Sequence, residues 1–169
     1  MRLPSLLQME PVRYTVSFVE RYSEPRRAQT KLVYSVWQAA TQLANGPCPG
    51  RKTLDLQQLR PAISNVYLLD ALDAQCDDFR VRLFGTGLVR LVGRDMTGML
   101  LSDINVDDFR MQMYRDVALG SKPEALLVDM KEEGGEVRRL EFVACPMCNE
   151  QTGLPLLLAA YSLVEMRGT

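Results

Sequence analysis

Two cysteines three residues apart, in Cys145-Pro146-Met147-Cys148, have a spacing that could do chemistry. A C-x-x-C pair can cycle between dithiol and disulfide, or supply half of a zinc site. The redox reading calls for a helix start in a thioredoxin-like α/β setting, whereas these cysteines close a strand-like segment. The zinc reading calls for about four ligands, and only Cys48 and Cys76, distant in sequence, could complete the set. A thiol-based redox or metal switch on Cys145 and Cys148 therefore stands as an alternative to purely structural cysteines.

A second candidate is the glycine-rich stretch DFRVRLFGTGLVRLVGRDMTG, residues 78–98. A strand running into glycines and then a helix is where a phosphate could be cradled. The dinucleotide fingerprint G-x-G-x-x-G fails here, because Gly85 and Gly87 are followed by Arg90 and the next glycine is Gly93. No G-x-x-x-x-G-K-S/T occurs either. The glycines are expected to turn the chain by reaching positive backbone angles.

The 169 residues contain no histidine. That removes Ser-His and Cys-His nucleophile pairs, histidine general bases and histidine-ligated haem. With no convincing carboxylate or thiol cluster in their place, the sequence points away from an enzyme. Twenty basic and 21 acidic residues give a net charge of -1, so nothing suggests a nucleic-acid partner or an anionic membrane surface. No run approaches the ~20 apolar residues of a membrane span, and Glu10 and Arg13 interrupt the leading leucines too early for a signal peptide. Four cysteines are too few for a disulfide scaffold, and a reducing, cytoplasmic location is expected.

The elements that must position these residues follow from periodicity. VRYTVSFVERY alternates like a short half-buried strand. In SEPRRAQTKLVYSVWQAATQLANG, Leu32, Val33, Val36, Trp37, Ala40, Leu43 and Ala44 share one helical stripe, with Ser23 as cap and Asn45-Gly46 as stop. This helix is the natural dimerisation element, with Leu32, Val33, Val36, Trp37 and Leu43 as candidate contacts. A linker, GPCPGRK, and a short turn, LDLQQLRPAI, lead to NVYLLDAL and FRVRLFG, which read as an antiparallel hairpin. GLVRLVG and NVDDFRMQMYRDVALG read as helices, the second capped by Asn105 and burying Val106, Phe109, Met113 and Val117. EALLVDMK, EVRRLEFVACPM and LPLLLAAYSLVEM close the chain as strands. The last is apolar on both faces, as a central strand covered on both sides would be. The pattern is an α+β domain, an antiparallel sheet with its helices gathered on one face.

At FRVRLFGTGLVRLVGRDMTGMLLSDI the chain resembles the strand–turn–helix centre of a PAS domain. More narrowly it is similar to an alphaproteobacterial family of mostly stand-alone PAS-like proteins, in which Arg82, Gly85, Thr86, Gly93, Arg94, Asp95, Thr97 and Gly98 fall on the shared positions. The resemblance covers about residues 30–165. It implies a five-stranded antiparallel sheet with short helices on one face, preceded by the N-terminal amphipathic helix. It also implies a ligand space between sheet and helices, and signalling by contact with a partner.

The organisation expected is an extension over 1–29 with a candidate short strand, an amphipathic helix and linker over 30–50, and a PAS-like domain over 51–169. The function expected is a bacterial sensory or protein-interaction module, homodimeric, binding a small molecule and contacting an unidentified signalling protein. A ligand-free structural adaptor is the other reading. Candidate ligand-binding residues are Met96, Phe109, Met113, Phe142 and Tyr161, with Arg82 joining them, and favouring an anion, if its strand turns that face inward. The cofactor stays unknown; the Asn-Cys-Arg-Phe-like motif of flavin photoreceptors is missing, which argues against light sensing.

Overall fold

The computed structural model describes residues 14–44 and 48–167. Six strands form one sheet: β1 (Tyr14–Tyr22), β2 (Val66–Ala71), β3 (Phe79–Phe84), β4 (Glu124–Glu132), β5 (Val137–Cys148) and β6 (Pro155–Arg167). Their order across the sheet is β1-β4-β5-β6-β2-β3, and every neighbouring pair is antiparallel. The helices are α1 (Ala28–Ala44), α2 (Leu56–Leu59), α3 (Thr86–Val92) and α4 (Asp108–Gly120), with 3-10 turns at Arg51–Thr53, Arg60–Asn65 and Leu101–Ile104.

The sheet has six strands where five were expected. The sixth is β1, which adds to the free edge of β4 from Tyr14↔Glu132 to Tyr22↔Ala125. Its alternation half-buries one side, with Tyr14 and Val16 packed on the core, and gives β4 a partner along a row of otherwise open hydrogen-bonding groups.

A second correction concerns the helices, which lie on both faces of the sheet. Alternate residues of β6 explain why: Leu157, Ala159 and Tyr161 pack on one side, Leu156, Leu158 and Ala160 on the other. A strand apolar on both faces must be covered twice. The segment between β3 and β4 roofs the first face through Leu88 and Leu91 of α3, Leu101, and Met113, Tyr114 and Val117 of α4. The second face is covered by Val33, Val36, Trp37 and Ala40 of α1, with Leu54, Leu59 and Ala62. The α1 stripe is thus buried against its own sheet, and of the dimerisation candidates only Leu43 stands well out, 75% exposed.

Helix α1 starts at Ala28, five residues beyond the expected Ser23 cap. Its cap comes from the sheet instead. The fully buried carboxylate of Glu141, on β5, accepts from the backbone N–H groups of Arg26 and Arg27 and from the hydroxyls of Tyr22 and Thr30. The Thr30 N–H donates to Ser162 Oγ at 3.1 Å. A carboxylate at the positive end of a helix is favourable, and the donors it collects there offset the burial of its own charge. The expected Asn45-Gly46 stop lies outside the described residues.

Midway along α1, Trp37 ties it to the sheet, its indole N–H donating to the buried Pro146 carbonyl at 2.7 Å. The β4 ladder runs out at Glu124↔Ala144, leaving the last residues of β5 without that neighbour. Pro146, which has no N–H to offer, suits such an edge. Trp37→Phe keeps the ring but leaves this carbonyl unpaired, and should cost about 1–3 kcal/mol in urea denaturation.

The glycine turn after β3 works through space as well as through angle. Gly85 has φ of -61°, open to any residue, but a Cβ there would lie 2.3 Å from the Ser64 carbonyl oxygen and 2.8 Å from that of Val66. Gly93, with φ of 81°, ends α3 in the left-handed conformation that glycine adopts without penalty. Gly85→Ala should therefore destabilise by about 1–3 kcal/mol or more, because the atoms it meets are backbone. An unchanged melting temperature would contradict that packing.

Candidate functional site

The space between the sheet and the α3–α4 face holds an aromatic cluster with polar groups set into it. β2 places Tyr67 inward, β3 places Phe79, β5 places Phe142, and α4 lowers Tyr114 among them. Ring centroids are 6.3 Å apart for Tyr67–Tyr114, 6.5 Å for Tyr67–Phe142 and 6.3 Å for Phe79–Tyr114, all near edge-to-face. The hydroxyls of Tyr67 and Tyr114 share a hydrogen bond of 2.6 Å. One proton serves that bond, and the second hydroxyl proton has no protein acceptor among the described residues.

Arg110 enters the same region from the first turn of α4. Asp107 caps the helix, accepting from the Arg110 backbone N–H at 3.0 Å, and holds Nε of the same residue at 2.5 Å. Asn105, the expected cap, instead takes the left-handed conformation that ends the preceding turn. The Arg110 guanidinium lies 5.2 Å from the Phe142 ring centre, within cation–π range. Its side chain is only 16% exposed, and its terminal nitrogens have no acceptor among the described residues. Burial raises the phenol pKa of both Tyr67 and Tyr114, and the nearby Arg110 charge opposes the rise. Both therefore stay protonated at neutral pH, as hydrogen-bond donors. A guanidinium and a hydroxyl with unused donors, walled by aromatic faces, can hold an anionic or carbonyl-bearing group.

Comparison with protein-family models matches the PAS domain family over residues 26–161. The chain belongs to the PAS domain family. The match begins just ahead of α1 and ends in β6, so it spans both helical layers. No curated protein matches the chain.

Five of the six ligand candidates meet on the α3–α4 side of this PAS sheet. Met96, Met113, Phe142 and Tyr161 are buried in that cluster, and Phe109 packs against it. Arg82 does not join them. A bulge in the β2–β3 ladder sets Leu68 opposite Leu83 but Leu69 opposite Val81, leaving Arg82 as the extra residue. Its guanidinium lies 3.6 Å from Asp70 and lines an open depression of about 470 Å³ with Arg51, Lys52, Cys148, Asn149 and Leu156. Tyr67, Asp107, Arg110 and Tyr114 were not among the sequence candidates. The spacing of the last three placed them on one helical face, and Tyr67 shares the alternation of Leu69 and Ala71.

The cysteines are arranged otherwise than C-x-x-C chemistry requires. Cys145 is fully buried among Val143, Met147 and Leu158, and burial alone pushes its thiol pKa strongly upward. Cys148 forms a disulfide with Cys48, 100 residues away. Cys76 is buried on the opposite face of the sheet. The four do not converge, so neither a Cys145–Cys148 couple nor a four-cysteine zinc site is assembled. Among the described residues no group of three or more histidine, cysteine or acidic side chains could hold a metal ion. No described helix is long and apolar enough to cross a membrane.

Proposed function

We propose that this PAS domain is a bacterial sensory module that binds a small molecule bearing an anionic or carbonyl group between the sheet and the α3–α4 face. One observation carries the reading: a partly sheltered arginine with unused donors sits beside a buried tyrosine pair in an otherwise apolar core. Among the described residues no side-chain nitrogen or oxygen is both buried and without a partner, so those arginine donors meet water, which a ligand's acceptor would replace. In this reading Arg110 and the tyrosine pair hold the polar group, Phe142 and Tyr161 flank the body, and Met96, Phe109 and Met113 adapt to its shape. The narrower alphaproteobacterial family and a non-catalytic role fit the same picture, while a cytoplasmic location would make the Cys48–Cys148 bond a transient one.

Ligand occupancy would be passed on by contact with a signalling partner, through a homodimer of the domain. Because Val33, Val36 and Trp37 are committed to the sheet, the dimer would use the outer side of α1 around Leu32 and Leu43. Light scattering should show a dimer, and a monomer at high micromolar concentration would contradict it.

Thermal-shift screening with small carboxylates and phosphates tests the ligand reading. Binding at a concentration 100-fold above Kd stabilises by about 2.7 kcal/mol, which is readily seen. Arg110→Met should abolish the shift while remaining folded. A shift undiminished in that variant would remove Arg110 from the site. The near-complete burial of Met113 and Phe142 suits the ligand-free adaptor, which predicts no shift with any compound.

A further inference from the structure

The Cys48–Cys148 disulfide lies where the chain passes from α1 to the layer beneath it. The two Cα atoms are 5.4 Å apart. Around them residues 49–50 take the edge of β5 that β4 has left. The Cys148 N–H donates to the Pro49 carbonyl at 3.1 Å, and Gly50 forms a parallel bridge with Cys148. Pro49 is buried, and the Gly50 carbonyl accepts from the Thr53 N–H at 3.1 Å and its hydroxyl at 2.7 Å. These last bonds are local, and the one ion pair nearby, Lys52 with Glu150 at 3.9 Å, has the lysine 88% exposed. The disulfide is also within reach of solvent. Both half-cystines are only partly buried, and Cys148 forms part of the wall of the open depression, beside Arg51, Lys52 and Arg82.

We propose that Cys48–Cys148 is a reversible thiol-exchange site, opened by a small-molecule thiol entering through this cation-lined depression, and that its reduction frees the 48–50 strap from the edge of β5. The thiolate attacks Cys148 Sγ and the S–S bond breaks. Cys48 leaves with the electron pair and takes up a proton. A second thiol attacks the mixed disulfide, freeing Cys148 and completing the external disulfide, so two thiols are oxidised as the protein gains two. Glu150 also lines the depression, and it and Asp70 pair with Lys52 and Arg82, but three cations against one lining carboxylate still favour the incoming and the departing thiolate. Exchange stays confined to this pair. Cys145 lies behind the strand with its thiol sealed in the core, and Cys76 lies on the far side of the sheet. The proposal is independent of whether the α3–α4 side holds a ligand.

Alkylation and hydrogen exchange on the full chain test it, using glutathione and dithiothreitol as reductants. The oxidised protein should take up no label without denaturant. After mild reduction Cys48 and Cys148 should be labelled, while Cys76 and Cys145 stay unlabelled even at pH 9. The Cys148 amide should exchange about tenfold faster or more, with the β5–β6 ladder unchanged, as in a local opening. Cys48→Ser should show the same exchange pattern without reductant. Four free thiols in protein purified under air would overturn the proposal. So would labelling that appears only as the whole domain unfolds, or Cys148 exchange unaltered in both the reduced protein and Cys48→Ser.

Discussion

Glu141→Ala should lower the stability of the domain by roughly 3–5 kcal/mol in urea denaturation, among the largest effects of any single side chain here. The carboxylate has no exposed surface and collects donors from Tyr22, Arg26, Arg27 and Thr30, all around the start of α1. Hydrogen bonds to a charged group contribute about 1.5–3 kcal/mol each, and the losses overlap because all share one acceptor. Removing it takes the acceptor from two backbone N–H groups at the helix start and from the Tyr22 hydroxyl, while the Thr30 hydroxyl keeps the Arg27 carbonyl and Ser162 Oγ within reach. Glu141→Gln keeps one acceptor oxygen but turns an amide donor toward other donors, so it should cost about half as much. The damage should localise, with exchange of the α1 amides rising before those of α4. A loss under 1 kcal/mol for Glu141→Ala would mean that α1 is held by its apolar stripe alone.

The second large effect is expected from Cys48→Ser. A link spanning 100 residues restricts the unfolded chain, and the chain-entropy treatment assigns such a loop about 4–5 kcal/mol. For a protein of this size that corresponds to a drop in melting temperature on the order of 10 °C. The oxidised protein treated with reductant should fall to the same value, since both lose the same constraint. The folded state should persist, because both apolar layers and the Glu141 cap remain. Equal melting temperatures for the oxidised protein and the serine variant would show that the cross-link contributes nothing to the folded state's advantage.

Much of the fold was legible from period alone. The hairpin of β2 and β3 announced itself by two apolar runs separated by an acidic turn too short for a crossover. In β5, Leu140, Phe142 and Ala144 alternate with Glu141 and Val143, and that period separates the residues packed under α3–α4 from those under α1. The two-sided apolarity of Leu156 to Ala160 already implied cover on both faces, an implication that helices gathered on one side do not satisfy. The α1 stripe could not reveal what it packs against, because an apolar face looks the same whether its partner is a sheet or a second chain. Glu141 was hidden by its position, since a carboxylate in an alternating strand reads as solvent-facing unless its distant partners are known.

The site was legible in part for the same reason. Met96, Phe109, Met113, Phe142 and Tyr161 were marked by size and apolarity, and they converge. Arg82 directly follows Phe79 and Val81, whose burial on the α3–α4 side already turns it to the other face by alternation, and the bulge shifts only the residues beyond it. Arg110 was not singled out from the sequence, although Asp107, Arg110 and Tyr114 fall on the face that also carries Val117. Pairing Cys48 with Cys148 required knowing that the linker after α1 takes over the edge of β5, a contact with no trace in the spacing of the cysteines.

The measurement that bears most directly on the sensory reading is native mass spectrometry of the freshly purified protein beside its Arg110→Met variant. The account predicts a non-covalent small-molecule mass on the parent protein that is absent from the variant. A bare polypeptide mass for both, persisting after incubation with carboxylates and phosphates, would contradict it.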